Sequence, residues 1–134
     1  MIALTDLIGR WRLVRTITHD DGLVGRAEGA AAWRETGEGA VQEESGLLHL
    51  PGVVPLKFER SYHWRGLEVS FPDGRPFHTV PLDGGVAEHW CDPDRYAVRY
   101  DFSRFPDWRA SWRVDGPRKG YLMVTDYTRE SAEV

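Results

Sequence analysis

An arginine set among large aromatic side chains is the first piece of chemistry this chain offers. In the run Leu56-Lys57-Phe58-Glu59-Arg60-Ser61-Tyr62-His63-Trp64, a two-residue period puts Phe58, Arg60, Tyr62 and Trp64 on one face. The same alternation groups Trp11, Leu13, Arg15 and Ile17 in an earlier run, and Tyr121, Met123, Thr125, Tyr127 and Arg129 in a later one. Tyr96, Val98, Tyr100 and Phe102 share a face, as do Trp108, Ala110, Trp112 and Val114. A planar guanidinium presents paired N–H donors that match a carboxylate. Arg60 in such a setting would await an acidic ligand group, with Tyr62, Tyr100 or Tyr127 donating hydrogen bonds. The competing reading is structural: each arginine meets an acid or backbone carbonyls at the end of its run, or reaches out to water. A buried guanidinium costs several kcal/mol unless it is paired. Only Lys57 and Lys119 among the 17 basic residues are lysines, so arginine is simply the usual cation of this chain.

A second set of groups could hold a metal. His89 and Cys91 lie two apart and share a face, and a neighbouring run could bring His78 close. Imidazole and thiolate suit zinc or haem iron. The spacing lacks the CxxC or HxxxH pattern of a dedicated site, so no metal or other cofactor is assigned. His89 and Cys91 could also pair for nucleophilic catalysis. Side chains two apart on a strand diverge, however, and no catalytic residue is assigned. Glu43-Glu44 and Asp20-Asp21 are neighbours in sequence, which sends each pair to opposite faces or into a turn. Pro72-Asp73-Gly74-Arg75 has too few glycines for a phosphate loop and reads as a hairpin turn.

These residues sit on short alternating runs bounded by Gly, Pro and Asp, with no room for a long helix. The spacing predicts a helical turn over Ala3 to Ile8, then strands over Arg10–Thr18, Val24–Arg34, Ala40–Leu50 and Pro55–Arg65. Further strands are expected over Leu67–Phe71, Phe77–Leu82, Val86–Asp92, Arg95–Phe102, Trp108–Asp115 and Lys119–Arg129. Gly25 and Gly29 suggest a bulge or sharp bend in the second strand. Short turns joining successive runs favour a single closed antiparallel up-and-down β-barrel of about ten strands over a sandwich.

At 134 residues the chain is expected to form one domain, residues 1–134, with a core that needs no disulfide. Its single cysteine fits a reducing compartment, and it has neither an apolar run of ~20 residues nor a signal-peptide layout, so a cytoplasmic protein without a membrane span is expected. A net charge of −4 argues against a nucleic-acid partner.

The helical turn followed by Gly9-Arg10-Trp11, with Arg129 near the end of the last strand, resembles the lipocalin and fatty-acid-binding (calycin) superfamily. The wider set of Arg60 to Trp64, Asp73 to His78, His89-Trp90-Cys91, Gly116 to Lys119 and Tyr127-Thr128-Arg129 resembles an uncharacterised family of lipocalin-like proteins. The resemblance implies that Trp11 and Arg129 pack together at one end of the barrel as a structural plug. It also implies an interior able to hold a carboxylate, as fatty-acid-binding barrels do. Taken with the alternation, the candidate ligand-binding residues are Arg15, Arg60, Tyr62, Trp64, His78, His89, Tyr100, Trp112 and Tyr127. The expected partner is a small hydrophobic or amphipathic molecule, with carboxylates among the candidates. The alternatives are a haem or metal carrier, an enzyme built in the same cavity, and a filled barrel that acts through surface partners.

Overall fold

Alternation of buried and exposed residues runs through nearly every element of the computed structural model, which describes residues 1–130. A single helical turn, α1 (Leu4–Leu7), precedes β1 (Gly9–His19), β2 (Val24–Glu35), β3 (Ala40–His49) and β4 (Leu56–Arg65). The short strands β5 (Glu68–Ser70) and β6 (Pro76–Thr79) follow, then β7 (Gly85–Cys91), β8 (Asp94–Asp101), β9 (Trp108–Asp115) and β10 (Gly120–Arg129). In β1, Trp11, Leu13 and Arg15 are buried while Arg10, Arg12 and Val14 face water. Burying one face of each strand in this way fixes the register, because a one-residue slip would turn the whole apolar set outward.

All ten strands form one antiparallel sheet in the order β6-β5-β4-β3-β2-β1-β10-β9-β8-β7. The sheet curls until β6 and β7 lie side by side, but no ladder joins them, so the barrel is nearly closed with one seam. Register places Trp11 opposite Arg129 and Arg15 opposite Thr125 across β1 and β10. Gln42 lies opposite Tyr62, and Glu44 opposite Arg60, across β3 and β4. Among the described residues no helix is long and apolar enough to cross a membrane.

Two expectations about local structure change. The β1–β2 ladder runs from Gly9 opposite Trp33 to Thr18 opposite Val24 without a register shift, so Gly25 and Gly29 make no bulge there. Gly29 instead faces Gly46 on β3, and a Cβ on either would collide with the other strand's backbone, at the Ser45 or Glu28 carbonyl oxygen. Glycine is needed here for close approach of two strands. The register shift lies instead between Val69 and Ser70 in β5. The sixth strand is also shorter than the sequence suggests. It stops at Thr79, and Pro81, which has no N–H to give to a ladder, lies two residues on.

The core is aromatic at the end nearest α1. Trp33 contacts Trp64, Trp108 and Tyr127 at ring-centroid distances of 5.8, 5.6 and 5.7 Å. Trp108 stacks on Tyr127 at 4.1 Å. Leu13, Val98 and Val114 fill spaces between strands and are fully buried.

Candidate functional site

The interior divides into a plugged end, a paired polar centre and an outer half whose cation meets no carboxylate among the described residues. At the plugged end the Arg129 guanidinium lies 4.0 Å from the Trp11 ring centroid. Its Nη1 and Nη2 donate to the carbonyl oxygens of Ile8 and Asp6 at 2.9 and 2.8 Å. Trp11 Nε1 donates to Leu7 O at 2.8 Å. Cation–π contact and carbonyl capping therefore tie α1, β1 and β10 together. Neither residue reaches the interior cavity.

In the centre, Arg15 from β1 donates through Nη2 to Glu44 Oε1 at 2.7 Å, and through Nε to Thr125 Oγ1 at 2.7 Å. Gln42 Nε2 donates to Glu44 Oε2 at 2.9 Å, Tyr127 donates its hydroxyl to the same oxygen, and Trp64 Nε1 donates to Gln42 Oε1 at 2.8 Å. Burial pushes the Glu44 carboxyl up, but Arg15 and the hydrogen bonds from Tyr127, Arg15 and Gln42 outweigh it and hold the group below its ordinary value. Burial pulls Arg15 down, and its attraction to Glu44 raises it overall. Tyr127, buried beside that carboxylate, is pushed well above the ordinary phenol range. The centre is thus a closed network of charged and polar groups that satisfy one another.

The outer half differs. Arg60 is half-buried and lies 4.9 Å over the Trp112 ring. Its one polar side-chain contact among the described residues is Nη1 to Met123 Sδ at 3.5 Å, and no carboxylate lies within ion-pair distance. Tyr62 stands 6.1 Å from Trp112 and 6.0 Å from Phe77, ring to ring, and burial raises its phenol. Tyr96 lies 6.3 Å from Trp112.

His78 on β6 points inward and shares a 2.8 Å hydrogen bond between Nε2 and Tyr100 Oη. Burial, reinforced by His89, lowers His78 to about 4, so the ring is neutral near pH 7. Burial pushes Tyr100 up. His89 is half-buried on β7, 5.3 Å from the Phe77 ring, and does not line the central cavity. Cys91 is also half-buried on β7. Among the described residues no three His, Cys, Asp or Glu side chains gather as a metal ion would require.

Of the nine ligand-site candidates, Arg15, Arg60, Tyr62, Trp64, His78, Tyr100, Trp112 and Tyr127 line one interior cavity. That cavity leaves about 20 Å³ of room for a water-sized sphere. Arg15, Trp64 and Tyr127 already spend their polar groups on the central network. Sequence reasoning missed Glu44 and Gln42 as inward groups. The alternation of β3 carries that signal, since buried Ala40, Gln42 and Glu44 fall in one phase and Val41, Glu43 and Ser45 in the other. It left Trp33 unplaced, and it set Trp108 on one face with Trp112 without counting it among the ligand residues; both line the same cavity with buried indole N–H groups that meet no acceptor among the described residues.

Fold and interior together define an all-β, ten-stranded antiparallel barrel, nearly closed, with a plugged end and a polar centre. Residues 7–129 match a family of unknown function, DUF6314, and the chain belongs to that family. A solved structure of similar fold is the S-type phycobiliprotein lyase CPES from Guillardia theta. It is 13% identical, the match covers 97% of this chain and 92% of that one, and the TM-score is 0.63. No curated protein matches.

Proposed function

We propose that the barrel binds a small amphipathic molecule whose acidic group pairs with Arg60 in the outer half. One contrast carries this reading: Arg15 donates to a carboxylate and a hydroxyl and Arg129 to two backbone carbonyls, whereas Arg60 has a thioether and an indole face and no oxygen acceptor among the described residues. A half-buried guanidinium in aromatic surroundings gains most from an arriving anion, because the surroundings screen the pair poorly. Trp112, Tyr62 and Phe77 supply flat apolar walls for the rest of the ligand. The fold likeness to a phycobiliprotein lyase supports a barrel that works with a bound molecule. With about 20 Å³ free inside, entry requires side chains to move, and Arg60 and its neighbour Met123 are long and unbranched, which suits such movement.

Calorimetric titration with decanoate tests the proposal. Wild-type protein should bind it, and Arg60→Ala should weaken binding by more than ~1.5 kcal/mol, the lower range for a charge-assisted hydrogen bond. Equal affinity in the two proteins would assign Arg60 to the fold alone. The small free volume of the interior favours a second reading, a filled barrel that acts through its surface. Failure of decanoate and of shorter and aromatic acids to bind the wild type would make that the better account.

A further inference from the structure

Three buried polar atoms inside the barrel have no hydrogen-bond partner among the described residues: Trp33 Nε1, Trp108 Nε1 and His78 Nδ1. Their side chains come from β2, β9 and β6, and all three residues line the same cavity as Arg60. Trp33, Trp108 and His78 are 1%, 4% and 9% exposed, so bulk water does not satisfy them. An unsatisfied buried donor or acceptor carries its full desolvation penalty, so two indole donors and an imidazole nitrogen in the lining of one cavity favour a ligand that brings polar partners to them.

The chemistry of the three atoms defines what would satisfy them. An indole N–H only donates, so Trp33 and Trp108 both call for an acceptor. With the His78 Nε2–H given to Tyr100 Oη, Nδ1 is an acceptor. A hydroxyl group has two lone pairs for the indoles and one proton for the imidazole. The cavity's free room, about 20 Å³, matches one such group, and the chain behind it requires side chains of the outer half to move aside. We infer that the deep end of the cavity takes the hydroxyl end of a ligand whose acidic end pairs with Arg60, so the molecule is polar at both tips and apolar between. This rests on the reading of Arg60 given above. Trp64, which touches Trp33 with ring centroids 5.8 Å apart, lies on β4 with Arg60. Four residues of strand at about 3.3 Å each put Arg60 and Trp64 ~13 Å apart along β4, a span on the scale of a medium-length chain.

Decanoate and its ω-hydroxy analogue differ only at the tip and separate the two claims by calorimetry. Wild-type protein should bind the hydroxy acid about tenfold more tightly than decanoate, the worth of one to two neutral hydrogen bonds. Trp108→Phe keeps a ring but removes the donor and should shrink that preference to about twofold or less. Trp33→Phe gives the same readout should the first variant fold poorly. Equal binding of the two acids by the wild type would overturn the deep subsite while leaving the Arg60 anchor in place. A preference that survives loss of both indole donors would overturn it as well. Failure of both acids to bind would defeat the subsite and the anchor together.

Discussion

Arg15 and Glu44 form an ion pair at 2.7 Å with side chains only 4% and 1% exposed, across strands β1 and β3 that are not neighbours in the sheet. The contact therefore spans the barrel interior over β2. That strand makes room with small inward residues, Ala27, Gly29 and Ala31. A pair so placed fixes the spacing of the two strands that flank β2. Its remaining valences go to Thr125, Gln42 and Tyr127, so the pair is neutralised locally and offers no charge to a ligand.

Breaking that pair leaves a buried charge without its partner. Glu44→Gln should lower stability by about 3–5 kcal/mol, because the Arg15 guanidinium loses its counter-ion. Glu44→Gln with Arg15→Met should recover much of the loss. Urea denaturation of the two variants measures the difference, and a single variant within ~1 kcal/mol of wild type would show that the pair is not what holds the centre.

Acid should destabilise the protein in two separable windows. His78 is held neutral, with its pKa lowered from 6.5 to about 4 by burial and the nearby His89. The unfolded chain therefore binds this proton first as pH falls, and stability is lost between about 6.5 and about 4, by roughly 3 kcal/mol in total. Glu44 is lowered below its ordinary 4.5, so its stabilising contribution is present above that value and lost as pH falls further. His78→Phe should flatten the upper window and leave the lower one. A pH–stability curve unchanged by this substitution would show that His78 charges freely in the folded protein.

The plug predicts a different pattern of loss. Trp11→Ala should cost about 3–5 kcal/mol as a large-to-small change at a fully buried site. Arg129→Ala removes a cation–π contact and two donors to the Asp6 and Ile8 carbonyls at the end of α1, and should cost less, ~1–3 kcal/mol. With α1 no longer tied down, the amides of residues Leu4–Leu7 should exchange faster in Arg129→Ala. Unchanged exchange there would mean that α1 holds through its own packing.

Strand alternation made the wall of the barrel legible, since Trp11-Arg12-Leu13 or Tyr96-Ala97-Val98 reads inward and outward without knowledge of any partner. It also put Arg60 and Tyr62 on the aromatic face of their strand. What alternation does not carry is pairing over an intervening strand. Glu44 meets Arg15 only because β3 and β1 flank β2, whose small inward residues let the two side chains meet above it, and the single-strand pattern of Glu43-Glu44 does not reveal that. Gly29 shows the same limit. A glycine in a strand marks a special place, but whether it is a bulge or a close approach depends on Gly46 in the neighbouring strand. The unsatisfied indoles of Trp33 and Trp108 were likewise hidden, because a tryptophan in a sequence does not show where its N–H goes.

That glycine contact is itself open to test. A Cβ at Gly29 would strike Ser45 O and lie 2.7 Å from Gly46 Cα, both backbone atoms that cannot swing aside. Gly29→Ala should therefore cost about 1–3 kcal/mol through forced separation of β2 and β3. Gly37→Ala, where an added Cβ meets nothing within 4 Å, serves as the control and should be close to neutral. Equal effects of the two substitutions would show that backbone entropy, and not the close approach, sets the cost.

Arg60 gives the last prediction, and it separates a ligand group from a structural one. Its guanidinium is half-buried, touches the Trp112 face and Met123 sulfur, and neutralises no acid among the described residues. Methionine at this position keeps the unbranched stem against Trp112 and removes a charge that is poorly solvated. The lost cation–π contact is worth ~0.5–1 kcal/mol, and relief of desolvation offsets it. Arg60→Met should thus leave thermal stability within about 1 kcal/mol of wild type, or raise it, while abolishing the preference for acidic over neutral ligands of the same shape. If Arg60→Met instead unfolds readily, the guanidinium serves the barrel, and the anion must be sought elsewhere on the protein.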